Sequence, residues 1–353
     1  MAATLAFLLL HRPASAALLL VFCVITYYVS WPGRHHGLRV CAAAALIIGV
    51  LPYFKIAASE SRADAPGDIV IPLGLSYYSF RCLHYLIERY RSTLPTHGFG
   101  EFLSYMLFLP TIVMGPIHRA GPFLEDLARK RWDSGQLSAG LERILYGYVK
   151  IAVLGNFVVA GKLSDFTSRL DPSHEAAILY LHVVRDGLNL YFQFSGFSDI
   201  AIGFSLLLGY RVIENFKWPY LQRNLADFWR CWHISLTSWC REYVYLPTLG
   251  LTRNPYLAVM ATFVIIGLWH DITPGYLSWG LYNGLGVLAY LQWQRIKRRL
   301  GVRRIQNPFA ARVLHALSIL LTVHYFWFGS VLVRQPDLHS AATVYSKILL
   351  GWL

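Results

Sequence analysis

Two histidines, His233 and His270, stand among tryptophans in a chain that is otherwise strongly apolar. His233 lies in Trp229-Arg230-Cys231-Trp232-His233-Ile234-Ser235, and His270 closes the run Gly267-Leu268-Trp269-His270. An ionisable side chain in an apolar segment costs several kcal/mol, so it marks a functional site by default. Burial lowers an imidazole's affinity for a proton and a helix C-terminus raises it, a balance that suits a general base working near neutral pH. A plainer reading stands beside each. His270 would be a buried structural imidazole satisfied by a backbone carbonyl, and His233 a ring that caps or bridges a short amphipathic helix.

Other chemistries find no support in the spacing. The sequence holds no Walker loop, no GxSxG elbow and no HExxH, and no carboxylate-rich cluster accompanies the histidines. Metal catalysis and serine-type covalent catalysis therefore drop, and no metal site is expected. The five cysteines form no CxxC pair, so neither a disulfide framework nor a zinc site is expected.

The elements that must position these residues read as membrane helices. Of 353 residues 56% are hydrophobic and only 14% charged, too little charge for an ordinary soluble surface. A single all-α membrane-embedded domain over residues 1–353 follows. The net charge of +13 fits Lys and Arg in cytoplasmic loops and near anionic headgroups rather than nucleic acid.

Taken in order, Ala14 to Ser30 and Leu38 to Phe54 are spans, and the acidic loop from Glu60 to Asp68 suits the outer side. Ile69 to Ile87, interrupted by Pro72 and Gly74 and carrying Arg81 and His84, suits a protein-facing helix. Phe102 to Ile117 is broken by Pro110 and Gly115-Pro116 and reads as re-entrant. Leu141 to Gly161 crosses outward, and Asp165 to Glu175 forms a polar outer loop. Ala176 to Val184 stops at Arg185-Asp186, and Leu188 to Tyr210 follows, with Asp199 and other polar groups that need partners inside the bundle. Asn224 and Asp227 open a helix that runs to about Leu246, where Pro247 disfavours continuation. Trp229, Trp232, Trp239 and Tyr243 recur along it at helical spacing, as an interface belt or as a substrate wall. Asn254-Pro255 starts the helix that ends at His270. At 1.5 Å per residue this histidine would lie about 22 Å in, deep in a hydrocarbon layer about 30 Å thick. Tyr276 to Trp293 and Leu314 to Val333 are further spans, and the run Arg295 to Arg304 is the strongest cytoplasmic signal. Roughly nine or ten membrane-embedded helices result.

These residues carry a resemblance. Ile71-Pro72-Leu73-Gly74-Leu75-Ser76-Tyr77, Phe108-Leu109-Pro110-Thr111 with Gly115-Pro116-Ile117, and Phe194-Ser195-Gly196-Phe197-Ser198-Asp199-Ile200 come first. Asp227 through Ser235 and Gly267-Leu268-Trp269-His270 follow. In that order, over about residues 50 to 290, the chain resembles the membrane-bound O-acyltransferases, in the bacterial branch of alginate O-acetyltransferases and D-alanyl transfer proteins. The resemblance implies a helical bundle with a central tunnel, in which a histidine helps move an acyl group from a thioester to a hydroxyl. His270 falls on the family's catalytic histidine and His233 on its second one. The chain departs from the family at three places. Asp271 replaces the usual Gly, Asn283 stands where Leu-x-His-Gly has its histidine, and Thr248 to Asn254 replaces a Gly-Gly-Asn-Arg turn.

The expected function is an O-acyltransferase of a bacterial cell membrane, with His270 as base and no bound cofactor. Its donor is a cytoplasmic acyl thioester, on coenzyme A or a carrier protein, and its acceptor a glycan or lipid-linked hydroxyl. A partner protein that relays the acyl group is also compatible. Trp229, Trp232, Arg241, Tyr243, Trp269, Asn283 and Asp199 are the expected substrate-binding residues, with indole N–H groups or Asn283 opposite the oxyanion. The alternative is a transporter or flippase using the same polar bundle, since intramembrane histidines also relay protons. No internal repeat supports it.

Overall fold

A computed structural model of the chain describes residues 2–60, 71–129, 133–302 and 306–351. The loop expected from Glu60 to Asp68 lies almost wholly outside them, as does the Arg303-Arg304 end of the basic run. The described residues are helical, with one isolated backbone bridge, between Phe216 and Trp232, in place of any strand.

In chain order the helices are α1 (Ala2–His11), α2 (Pro13–Val29), α3 (His36–Glu60), α4 (Leu75–Tyr90), α5 (Phe99–Met106), α6 (Ala120–Ala128) and α7 (Ser134–Tyr148). The chain then widens into a π-helical stretch, Val149–Lys162, before α8 (Leu163–Ser168) and α9 (Glu175–Leu207). Next come α10 (Leu225–Cys231), α11 (Ile234–Cys240), a π-helical Arg241–Tyr245 and α12 (Leu246–Thr252). Last are α13 (Pro255–His270), α14 (Pro274–Arg299), α15 (Pro308–Arg334) and α16 (Leu338–Leu350). Among the described residues, four continuous stretches are long and apolar enough to cross a membrane: His36–Ala58, Ser134–Ser168, Pro172–Leu207 and Pro308–Arg334. The chain divides into two compact units, Met1–Gly147 with Phe197–Glu214, and Tyr148–Gly196 with Asn215–Leu353.

In the first unit, polar side chains of α4 satisfy the backbone of the broken segment that follows it. Gly74 caps α4 at φ 78°, and a Cβ there would sit 2.6 Å from the Ile112 carbonyl oxygen, so only glycine fits. Arg81, fully buried, donates to the Met106 carbonyl (3.1 Å) and to Thr111 Oγ1 (2.7 Å). Thr111 Oγ1 also meets His118 Nδ1 at 2.9 Å, and His84 Nε2 accepts the Ala120 N–H at 2.9 Å. Arg81 and His84 thus face protein, as their cost in lipid demands. Asp199, 4% exposed, accepts from Arg143 Nε at 2.7 Å, and the same guanidinium binds Glu214.

The second unit is built on the α13–α14 hairpin. Asn254 caps α13 through Tyr256 N–H (2.9 Å) and Leu257 N–H (3.2 Å), with Pro255 at the first turn. Gly280 lets the helices touch, for a Cβ on it would stand 2.5 Å from the Phe263 carbonyl oxygen. Against α14, α15 is pinned by Tyr282 and Tyr325, whose rings stack at 4.2 Å while each hydroxyl donates to the other's carbonyl (3.0 and 2.6 Å).

Four expectations about elements are corrected here. Arg185-Asp186 does not end a helix, because α9 runs through it. The two side chains pair at 2.8 Å and Arg334 adds a second contact to Asp186 at 3.1 Å, so their charges are met within the unit. The helix expected to close at Gly161 continues to Ser168, which shortens the polar loop expected over Asp165 to Glu175. The helix expected from Asn224 to Leu246 breaks at Trp232-His233. Finally, Pro247 does not stop it: Leu246 N–H reaches back to the Arg241 carbonyl in a wider π turn, and α12 continues through the proline.

Candidate active site

The break at Trp232-His233 is made by a segment distant in sequence. α10 starts at Asn224, whose Oδ1 accepts the Asp227 N–H at 2.9 Å. After Cys231 the backbone turns extended at Trp232 (φ −106°, ψ 126°) and pairs with the chain at Phe216. Lys217 N–H donates to the Cys231 carbonyl at 3.0 Å, and Ile234 N–H to the Asn215 carbonyl at 2.9 Å. His233 between them takes the left-handed conformation (φ 46°, ψ 53°), uncommon for a residue with a Cβ and concentrated at functional sites. Asn215, fully buried, locks the next turn: its Oδ1 accepts from Ser235 N–H (3.3 Å) and Ser235 Oγ (2.8 Å). Sequence reasoning missed Asn215, since a lone Asn in a loop has no spacing signal of its own.

The His233 ring is 2% exposed, lies edge-on to Phe194 at 4.7 Å, and its Nε2 has no hydrogen-bond partner. It lies outside the candidate spans. Burial first, and the neighbouring His270 charge second, lower its pKa to about 3, so the ring is neutral at physiological pH.

His270 is the last residue of α13 and is exposed, because α13 ends on it and Asp271 to Thr273 turn the chain away. Its ring stacks on Tyr276 at 5.8 Å and meets Trp279 edge-on at 5.5 Å. Trp269 stands between the histidines, 4.6 Å from His270 and 6.2 Å from His233, measured between ring centroids. The structure thus brings His233, Trp269 and His270 together.

The other expected residues divide. Trp232 (5% exposed) is packed in an aromatic core, stacked on Tyr220 at 5.9 Å and close to Phe326 at 4.6 Å. Trp229 joins that core through Phe326 and meets Trp279 edge-on at 5.9 Å. Neither indole belongs to an interface belt. Trp229 and Arg241 do line a cavity of about 470 Å³ whose wall also holds Ile234, Thr262, Phe263 and Ile266. That wall includes the residue after His233 and the residue one turn before His270, and both volume and apolar character suit a small-molecule site. Tyr243 packs on Trp239 at 4.9 Å. Asn283 is fully buried, donates Nδ2 to the Trp279 carbonyl at 2.9 Å and leaves Oδ1 without a partner. Asp199 belongs to the first unit, in its ion pair with Arg143.

Residues 14–329 match the model of the membrane-bound O-acyltransferase (MBOAT) family. The chain is 31% identical to the probable alginate O-acetylase AlgI of Pseudomonas aeruginosa, over 94% of this chain and 66% of that protein. It is 26% identical to the teichoic acid D-alanyltransferase of Bacillus subtilis, over 90% of this chain and 83% of that one. Identity to the peptidoglycan O-acetyltransferase of Helicobacter pylori is 27%, over 78% and 56%. The chain spans between 52% and 66% of the length of the alginate relatives. With the family match running through both histidines and most of the chain, this protein belongs to the membrane-bound O-acyltransferase family.

Proposed function

We propose that the chain is a membrane O-acyltransferase, its two units acting as one domain. It moves an acetyl, D-alanyl or similar group from a thioester donor on the cytoplasmic side to a hydroxyl of an extracellular or periplasmic glycan or glycolipid. The observation that carries this reading is the pairing of a buried, neutral His233 with an exposed His270 across Trp269, beside an apolar cavity of ligand size. The relatives' names, an alginate O-acetylase, a teichoic acid D-alanyltransferase and a peptidoglycan O-acetyltransferase, support a surface-polymer acceptor.

In the proposed reaction His270 takes the proton of the acceptor hydroxyl as its oxygen bonds to the thioester carbonyl carbon. The carbonyl π pair moves onto oxygen, giving a tetrahedral oxyanion. One Nδ2 proton of Asn283, or an indole N–H, stands as a donor to it. As the C=O re-forms, the C–S bond breaks and the proton returns from His270 to the departing thiolate. The enzyme forms no covalent intermediate and binds no cofactor beyond the donor. His233 remains neutral and holds the second position.

The proposed frame is a bundle of roughly nine or ten membrane-embedded helices around a tunnel, with 295–304 cytoplasmic and 165–175 external. The bases are the basic density of the first and its lack in the second. Transfer from a labelled acyl thioester to polymer or glycolipid by the purified chain, with and without a relay protein, tests the activity. No transfer under any of these arrangements refutes it. Impermeant labelling of Arg299→Cys from outside intact cells would refute the orientation.

A further inference from the structure

A second cavity, of about 780 Å³, lies away from both histidines, between the start of α10, the C-terminal half of α14 and the middle of α15. Its wall exposes more polar surface than that of the first cavity. Arg223 and Lys297 contribute two cations, and neither forms an ion pair among the described residues. The carboxylate on the same wall, Asp227, is already neutralised by Arg230 at 2.8 Å and bonded by Asn224 Nδ2 at 2.7 Å. The hydroxyl protons of Ser318 and Thr322 go to the carbonyls of Leu314 (2.7 Å) and Ser318 (2.8 Å). An uncompensated pair of positive charges is left facing an opening.

The same opening has an apolar side. Leu314, Leu317 and Leu321 follow one another at helical spacing on α15 and are 52%, 55% and 73% exposed, a strip that continues from the cavity wall along a candidate span. On the opposite wall Trp293 is 54% exposed beside Lys297, whose Nζ lies 5.8 Å from the indole centroid. An aromatic at that level, next to cations, is the anchor pattern of a membrane interface.

We propose that this cavity binds the headgroup of an anionic phospholipid, its phosphate between Arg223 and Lys297 and its acyl chains along Leu314, Leu317 and Leu321. Basic pockets between membrane helices take such headgroups. A soluble phosphate compound would satisfy the cations and leave the leucine strip bare. The proposal is independent of the transfer chemistry, since none of these residues belongs to the histidine site.

The test is native mass spectrometry of the full chain in detergent, titrated with dioleoyl phosphatidylglycerol or dioleoyl phosphatidylcholine. Phosphatidylglycerol should be retained preferentially. Arg223→Gln/Lys297→Gln should weaken its retention about tenfold or more, and the charge-matched Arg298→Gln/Arg299→Gln should not. Equal retention of the two lipids overturns the proposal. Equal loss in both double variants, which would mean general attraction to a basic surface, also overturns it. Displacement of the lipid by coenzyme A overturns it in favour of a donor-phosphate site.

Discussion

Asn215 and Ser235 are joined through a single side-chain oxygen, which accepts both the backbone N–H and the hydroxyl of Ser235 at 3.3 and 2.8 Å. With the Asn215 carbonyl also holding Ile234 N–H at 2.9 Å, the two turns flanking His233 are fixed from outside their own helices. The histidine's left-handed backbone is therefore imposed by tertiary contacts.

Removing that clasp should disturb the site as well as the fold. Asn215→Ala strands the buried Ser235 groups, and a buried polar group left unsatisfied costs about 1–3 kcal/mol. We expect a lower melting temperature in detergent and a transfer rate that falls further than Ser235→Ala lowers it. A normal rate in Asn215→Ala would show that the break at His233 is not needed for function.

His270→Ala and His270→Gln should lower transfer by about 10²- to 10⁴-fold, the usual contribution of a general base. Because the residue is exposed, melting should stay close to that of the native chain, within about 0.5 kcal/mol. Transfer from a labelled thioester and a melt on the same preparation check both. Near-native transfer by the two variants removes His270 from the role of base.

At His233 the backbone and the ring can be separated. Asn tolerates the left-handed region better than Ala, whose strain there costs about 1–2 kcal/mol. His233→Asn should thus melt above His233→Ala while transferring no better. The ring also leaves a pH signature. Its folded pKa of about 3 lies below the ordinary value of about 6.5, so the unfolded chain binds the proton more readily. Stability from this group is present above pH 6.5 and is lost as pH falls toward 3. His233→Asn should show a shallower decline in melting temperature over that window than the native chain.

The α13–α14 contact should be intolerant of a single methyl group. Gly280→Ala would press on the Phe263 carbonyl and Gly267→Ala on that of Tyr276, both backbone atoms that cannot step aside. Each should cost about 1–3 kcal/mol by overpacking and lower transfer as well, since Gly267 lies one turn before His270. Gly250→Ala, with nothing near its Cβ, should be neutral or stabilising, by up to about 1 kcal/mol. Equal melting of all three would contradict the packing described.

Much was legible in the sequence because it depends on local chemistry. Low charge and long apolar runs determined a helical membrane protein, Asn254-Pro255 the start of α13, and Asp271 with Pro274 its end beside His270. The ordered motifs determined the family, since each is a stretch of neighbouring residues. Tertiary structure alone decided the rest, wherever a distant partner outweighed a local preference. Helical spacing from Trp229 to Tyr243 favours one unbroken helix, and the strand-like pairing of Phe216 with Trp232 and the Asn215 clasp break it at the histidine. A charged pair at Arg185-Asp186 looks like a terminus until Arg334, nearly 150 positions later, meets Asp186. Enclosure was decided the same way: nothing in the local sequence separates the two histidines, and the packing of α13, α14 and the Trp232-His233 turn encloses His233 and leaves His270 exposed.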